Sequence, residues 1–319
     1  MRDQYGRNID YLRVSLTDRC NLRCIYCMPE DGIEKLRHED ILRFEEVLQI
    51  IRAFAKIGGR KIRFTGGEPL ILKGITELIR ETSQIPGIED IALTTNGMLL
   101  ADMADDLKKA GLKRVNISLD SLKPDKFNQI TRGGDVKKIL AAIEKCLSVG
   151  ISPVKINVVL IKGVNDDEVQ DFAKLTVNLP LHVRFIELMP LGEGKKYYQS
   201  GYMSSNEIMM RIPDLIPLED DMPGTAKMYK LKNAKGKIGF ITPMSCKFCS
   251  SCNRIRLTSV GTIKPCLHSE AEISIKEYLS NEAFLVAALK NAVFGKPREH
   301  YLEDGNASKS LKMMYQIGG

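Results

Sequence analysis

Three cysteines stand close together in "TDRCNLRCIYCMPEDG" (17–32), at the spacing C-x3-C-x2-C: Cys20, Cys24 and Cys27. Thiolates this close bind metal, yet a closed tetrahedral zinc site takes four ligands. A fourth donor such as His38 would complete a structural zinc, and a ferredoxin run would read C-x2-C-x2-C with another cysteine after it. A third arrangement is a [4Fe–4S] cube held at three corners, its fourth iron open to a chelating ligand as catalytic zinc sites keep one position open. Three thiolates without a fourth nearby favour the open cluster.

A second group lies far along the chain, in "SCKFCSSCNRIRLTSVGTIKPCLHS" (245–269). Cys249, Cys252 and Cys266 again make three, with Cys246 a further x2 upstream. All four together would suit a zinc ribbon; the last three alone would suit a second open cluster, with Cys246 a spare thiol. Arg254 and Arg256 follow at once, two apart, so on a strand both side chains share one face. Paired arginines beside an open metal corner are a place for phosphate, each bidentate contact worth about 1.5–3 kcal/mol.

The elements that must position these groups can be read from periodicity. Six β-branched or apolar runs, "YLRVSL" (11–16), "KIRFTGG" (61–67), "IALTTNG" (91–97), "RVNISLD" (114–120), "VKINVVLI" (154–161) and "HVRFIELMP" (182–190), alternate with helical segments. In "FEEVLQIIRAFAKIGG" the residues Val47, Ile50, Ile51 and Phe54 share a face, and Gly58-Gly59 ends the helix. "DVKKILAAIEKCLSVG" repeats the pattern and ends at Gly150, with Cys146 a small buried apolar residue on it. Alternating strand and helix implies parallel strands with right-handed crossovers. Six units predict an α/β fold, a partial open (βα)6 TIM-like barrel spanning 1–200. Residues 201–319 form a C-terminal extension with hairpins around Gly236 and Gly261, a helical stretch over about 270–293, and the second cysteine group. Polar or Gly-rich turns recur where strands end, the face on which barrels build reaction sites.

The bulk properties agree with an ordinary globular protein. The chain has 319 residues, 44% hydrophobic and 27% charged, with formal net charge +7. That charge suits either a lysine-rich surface or a polyanionic ligand. The charged N-terminus and the lack of any run of about 18 apolar residues predict a cytoplasmic protein without membrane spans. In that compartment eight cysteines mean metal or redox chemistry rather than disulfides.

C-x3-C-x2-C directly after the first strand, with Tyr26 before the third cysteine, resembles the radical S-adenosylmethionine (SAM) superfamily, and "TGGEP" (65–69) resembles its GGEP motif. Gly66 and Gly67, lacking Cβ, would let backbone approach the ligand closely. "CNRIRLT", the x13 spacing to Cys266 and the terminal Gly-Gly closely resemble, over essentially the whole chain, the molybdenum cofactor biosynthesis protein A family of GTP 3′,8-cyclases.

That resemblance implies two [4Fe–4S] clusters at opposite ends of the barrel, on Cys20, Cys24 and Cys27 and on Cys249, Cys252 and Cys266. It implies SAM contacts at Tyr26, Gly67, Ser118 and Met189. GTP contacts would fall on Arg13, Arg63, Thr94, Lys155, Arg254, Ile255 and Arg256. Arg13, Arg254, Arg256, Gly318 and Gly319 would serve catalysis. The chemistry implied is reductive cleavage of SAM to methionine and a 5′-deoxyadenosyl radical, hydrogen abstraction from ribose C3′, and closure onto guanine C8. The implied partners are GTP as substrate, a flavodoxin- or ferredoxin-like electron donor, and a functional link to cyclic pyranopterin monophosphate synthase. Neither nucleic acid nor membrane is expected, and the chain would be a monomer or homodimer. Rival readings are a radical SAM enzyme acting on a peptide and a two-zinc nucleic-acid-binding protein; the latter would be colourless and would leave "TGGEP" without purpose.

Overall fold

The computed structural model describes residues 1–34, 36–219, 225–300, 310 and 312–318. Six strands, β1 (Tyr11–Ser15), β2 (Lys61–Thr65), β3 (Asp90–Thr95), β4 (Arg114–Ser118), β5 (Val154–Leu160) and β6 (Leu181–Glu187), pair in chain order and in parallel. The crossovers carry the helices Phe44–Lys56, Ile75–Ser83, Leu100–Lys109, Pro124–Thr131, Val136–Ser148 and Val169–Asn178. This is the expected α/β alternation, with each strand end within a few residues of the sequence reading.

The C-terminal part adds β7 (Ile216–Pro217), β8 (Ala226–Lys230), β9 (Lys237–Ile241), β10 (Arg254–Leu257), β11 (Thr262–Lys264) and β12 (Ile273–Ser274). Both expected hairpins form, β8 with β9 and β10 with β11. Each then inserts one strand parallel to the barrel: β9 against β6, and β10 against β1. The sheet order is β12-β11-β10-β1-β2-β3-β4-β5-β6-β9-β8-β7, open at both edges. Gly236 allows the join of β9 to β6, because a Cβ there would lie 2.1 Å from the Leu181 carbonyl. The expected helix over about 270–293 is shorter, Glu282–Phe294. Asn281 caps it, its side chain accepting from the amides of Ala283 (3.0 Å) and Phe284 (3.3 Å), while the preceding residues form β12 and a short 3-10 turn.

Side-chain alternation sorts the strands into two faces. Leu12, Val14, Ile62, Phe64, Leu93, Val115, Ile117, Val154, Ile156, Val183, Phe185, Phe240, Ile255 and Leu257 are buried in one continuous core under the helices. In the first helix Val47, Ile50, Ile51 and Phe54 meet them, and a Cβ on Gly59 would strike the Phe54 ring. Each fully buried ring or branched chain of this kind contributes about 1.5–3 kcal/mol. The intervening residues, Arg13, Arg63, Thr94, Asn116, Lys155, Asn157, Arg184, Arg254 and Arg256, are polar and face the lumen.

Candidate active site

Strand direction places the two cysteine groups. Cys20, Cys24 and Cys27 follow the C-terminal end of β1, whereas Cys252 immediately precedes the N-terminal end of the parallel β10. Cys266 follows the antiparallel β11 and so returns to Cys252's end. The groups therefore sit at opposite mouths of the barrel, separated by one strand length, roughly 15 Å.

In the first loop the Cys27 amide donates to the Cys24 carbonyl at 2.9 Å, forming a tight turn. Burial pushes the Cys27 thiol up to about 12, with Cys20 and Asp120 adding to the effect, and burial likewise raises Cys24. The three thiols thus lie within electrostatic reach of one another and must shed protons as metal binds. Among the described residues, no three His, Cys, Asp or Glu side chains converge closely enough to hold a single ion. A tetrahedral zinc with bonds of about 2.3 Å needs its sulfurs roughly 3.8 Å apart. The side chain of His38, the alternative fourth ligand, lies outside the described residues.

Around this loop the motifs lock together. Gly66 (φ +152°) and Gly67 lie against the loop's own backbone: a Cβ on Gly67 would sit 2.2 Å from the Arg19 carbonyl. The glycines were expected to admit a ligand; the first thing they admit is the Thr17–Arg19 main chain, whose Thr17 carbonyl accepts from the Gly67 amide at 2.6 Å. Glu68 accepts from the Leu70 amide (3.0 Å), the Thr95 hydroxyl (2.7 Å) and the Asn96 amide (2.6 Å). Asn96 in turn donates to the Asn21 side chain at 2.7 Å, joining "TGGEP", "TTNG" and the cysteine loop. The Tyr26 hydroxyl donates to Asp120 at 2.6 Å, and Asp120 accepts from the Val159 amide at 2.8 Å. Burial lifts the Asp120 carboxyl to about 6. Ser118 ends β4 and Met189 lies just past β6, both at this mouth.

Between the mouths, register assembles a cationic row. Arg13 stands level with Arg63 on one side and Arg256 on the other, while Arg254 is level with Tyr11. Thr94 is level with Asn116, Asn116 with Lys155, and Asn157 with Arg184. The Nε atoms of Arg13, Arg63, Arg184 and Arg254, Thr94 Oγ1, and the side-chain oxygens of Asn116 and Asn157 are buried with no hydrogen-bond partner among the described residues. Burial first, then Arg256, Arg63 and Arg254, push Arg13 well below its ordinary range. Burial and the neighbouring arginines lower Arg184 to about 9, and Lys155 falls to about 6. Guanidinium groups stay protonated in proteins, so the result is a concentrated positive charge. The orphaned Nε–H donors among these groups call for a polyanion with several acceptors.

Arg256 is 6% exposed and donates to the carbonyls of Ile317 (3.0 Å) and Gly318. Gly318 has φ +72°, and a Cβ on it would lie 2.3 Å from the Thr65 side chain. Gly318 therefore lies against Arg256 and Thr65; Gly319 lies outside the described residues. Ile255 is fully buried in the core, so its side chain cannot face a ligand and only its main chain can.

At the other mouth, Cys249 lies within reach of Cys266 and Cys252. Burial, which raises Cys252, is outweighed by Arg254 and Lys296, which hold it at about 6. Cys246 is exposed, whereas Cys249, Cys252 and Cys266 are half-buried. Cys146 is buried on its helix, as read.

The sequence reading missed Arg184, Asn116, Asn157, Glu68, Asp120 and Lys296. Alternation could have marked the first three, since each interrupts an apolar strand with a polar residue in phase with the known row. The last three depend on partners that no local pattern reveals.

Residues 14–176 match the Radical SAM superfamily, and residues 181–302 match Molybdenum Cofactor Synthesis C. The chain is 59% identical over 319 residues to a GTP 3′,8-cyclase of Clostridium botulinum, and 55% identical over 320 residues to one of Clostridium acetobutylicum; each alignment covers 100% of both chains. Its fold resembles that of Streptococcus suis SuiB bound to S-adenosylmethionine, with TM-score 0.59 at 13% identity, covering 92% of this chain and 66% of that one. With two domain matches, full-length relatives and two tri-cysteine mouths joined by a cationic lumen, the chain belongs to the GTP 3′,8-cyclase family of radical SAM enzymes.

Proposed function

We propose that this chain converts GTP to 3′,8-cyclo-7,8-dihydroguanosine 5′-triphosphate in molybdenum cofactor biosynthesis, with the nucleotide in the lumen between the two cysteine groups. The carrying observation is the row of arginines Arg13, Arg63, Arg184 and Arg254, whose buried Nε donors have no partner among the described residues, beside Lys155 and Arg256. A triphosphate supplies both the charge and the multiple acceptors this row lacks.

Cys20, Cys24 and Cys27 would hold a [4Fe–4S] cluster with one open iron, and Cys249, Cys252 and Cys266 a second. When bound, the first cluster and SAM together supply the one-electron, hydrogen-abstracting chemistry that prepares ribose C3′ to bond with guanine C8. The chain's own residues bind, orient and exclude water. Tyr26, Gly67, Ser118 and Met189 would surround the SAM position, with Asp120 fixing Tyr26 and Glu68 tying its turn to Thr95. The arginine row holds the triphosphate, with Thr94, Asn116 and Asn157 offering neutral partners. Ile255 would contribute through its main chain. Gly318, held by Arg256, would close the mouth. Residues 1–200 would form the radical SAM unit and 201–319 the part that completes the sheet and carries the second cluster.

No helix among the described residues is long and apolar enough to cross a membrane. We place the protein in the cytoplasm, reduced by a flavodoxin- or ferredoxin-like donor and followed by cyclic pyranopterin monophosphate synthase. The test is anaerobic: reconstitute with iron and sulfide, reduce, add SAM, and quantify 5′-deoxyadenosine with GTP, ATP or no nucleotide. Stimulation by GTP alone is expected. Cleavage indifferent to the nucleotide would refute the GTP assignment.

A further inference from the structure

Lys296 lies just past the helix Glu282–Phe294 and is only 3% exposed. Its ammonium donates to the carbonyl of Pro265, the residue before Cys266, at 2.7 Å. It also donates to the Cys252 thiol and lies within electrostatic reach of Cys249. Four residues on, the His300 main chain donates to the Cys249 thiol, and the Arg254 main chain donates to that of Cys252.

The segment carrying Lys296 is held from behind by the other end of the chain. Arg7 donates to the carbonyls of Pro297 (2.7 Å), Cys249 (2.8 Å), Arg298 (2.9 Å) and Lys296 (3.4 Å). Asp3 fixes that guanidinium at 2.6 Å and is itself buried. Ordering a lysine this deeply costs rotamer freedom and hydration, so its placement against sulfur needs a return. An anionic metal centre provides one.

We propose that Lys296 is a positioning residue of the second cluster: a buried ammonium that ties the Cys252 and Cys266 segments together and offsets thiolate charge beside the nucleotide site. The inference rests on the reading that Cys249, Cys252 and Cys266 hold a cluster. Net charge and hydrogen bonds to sulfur tune the reduction potential of such clusters. A donor cation next to a ligand sulfur favours the reduced form. It also lowers the repulsion a tetra-anionic nucleotide meets.

The experiment uses the full-length chain carrying Cys24→Ala, so that the second site loads alone, reconstituted as K296, K296M and K296R. Iron and sulfide content, the midpoint potential by EPR-monitored titration, and iron loss to a chelator are measured. K296M should shift the reduced-to-oxidised ratio at a fixed potential at least tenfold towards oxidised, a midpoint lower by about 59 mV for one electron, and should lose iron faster. K296R should recover most of both. An unchanged midpoint and iron-loss rate in K296M would overturn the proposal. Should K296M not load iron, K296R decides: loading with the parent midpoint supports the role, and failure of both shows a requirement for lysine's shape rather than its charge and overturns it. Absence of iron from the K296 parent would instead refute the cluster reading beneath it.

Discussion

Lys155 offers a sharp test of the lumen as an anion site. Burial first, then Arg184, Arg114 and Arg63, lower its ammonium to about 6 from an ordinary 10.5, with Asp90 opposing. At pH 7.5 a group titrating near 6 is about 3% charged, and at pH 5 about 90% charged. A triphosphate beside it restores the ordinary preference for the charged form. GTP binding at pH 7.5 should therefore draw in about one proton at this site, falling to about 0.1 at pH 5, with the half-point near pH 6. The perturbation is Lys155→Met, which keeps the length and removes the base. The assay is calorimetric titration of the reconstituted chain with GTP in two buffers of different ionisation enthalpy. The nucleotide's own phosphate protons cancel in the difference between wild type and variant. That difference should be about one proton at pH 7.5 and near zero at pH 5. Affinity in K155M should fall roughly 10- to 150-fold, the loss of one charge-assisted contact of about 1.5–3 kcal/mol. Equal proton counts in the two proteins, or a difference independent of pH, would refute the reasoning.

Cys246→Ser should retain the wild-type iron and sulfide content, whereas Cys249→Ser should lose about half; equal loss in both would make Cys246 a ligand. Glu68→Gln removes one of the two oxygens that accept from Leu70, Thr95 and Asn96 and should cost about 1–3 kcal/mol in denaturant unfolding. Burial holds the Glu68 carboxyl up at about 7 against an ordinary 4.5, so the folded state binds the proton more tightly. Its contribution to stability is therefore lost as pH rises from about 4.5 to about 7, and E68Q should lack that slope. Gly318→Ala places a Cβ against Thr65 at a positive φ, so product formation should drop at least tenfold while the thermal midpoint stays within about 2 °C; a parallel fall in both would mean the tail stabilises the fold instead.

What the sequence determined by itself was local. Cysteine spacing within a loop needs only the chain's own reach, so both cysteine groups could be read directly. Strand alternation put Arg254 and Arg256 on one face before any neighbour was known, and the βα alternation limited the sheet to parallel pairing. Tertiary structure decided everything that depends on which strands become neighbours. Arg256 stands beside Arg13, far earlier in the chain, because β10 joins the edge of β1, and no periodicity within either strand encodes that pairing. The same holds for Arg184, whose meaning comes from Asn157 beside it and from the unanswered charge across the lumen. Glu68, Asp120 and Lys296 read as ordinary charged residues until folding buries them. In water such a group is satisfied anywhere, but in the interior it must find specific partners, and those partners come from distant segments.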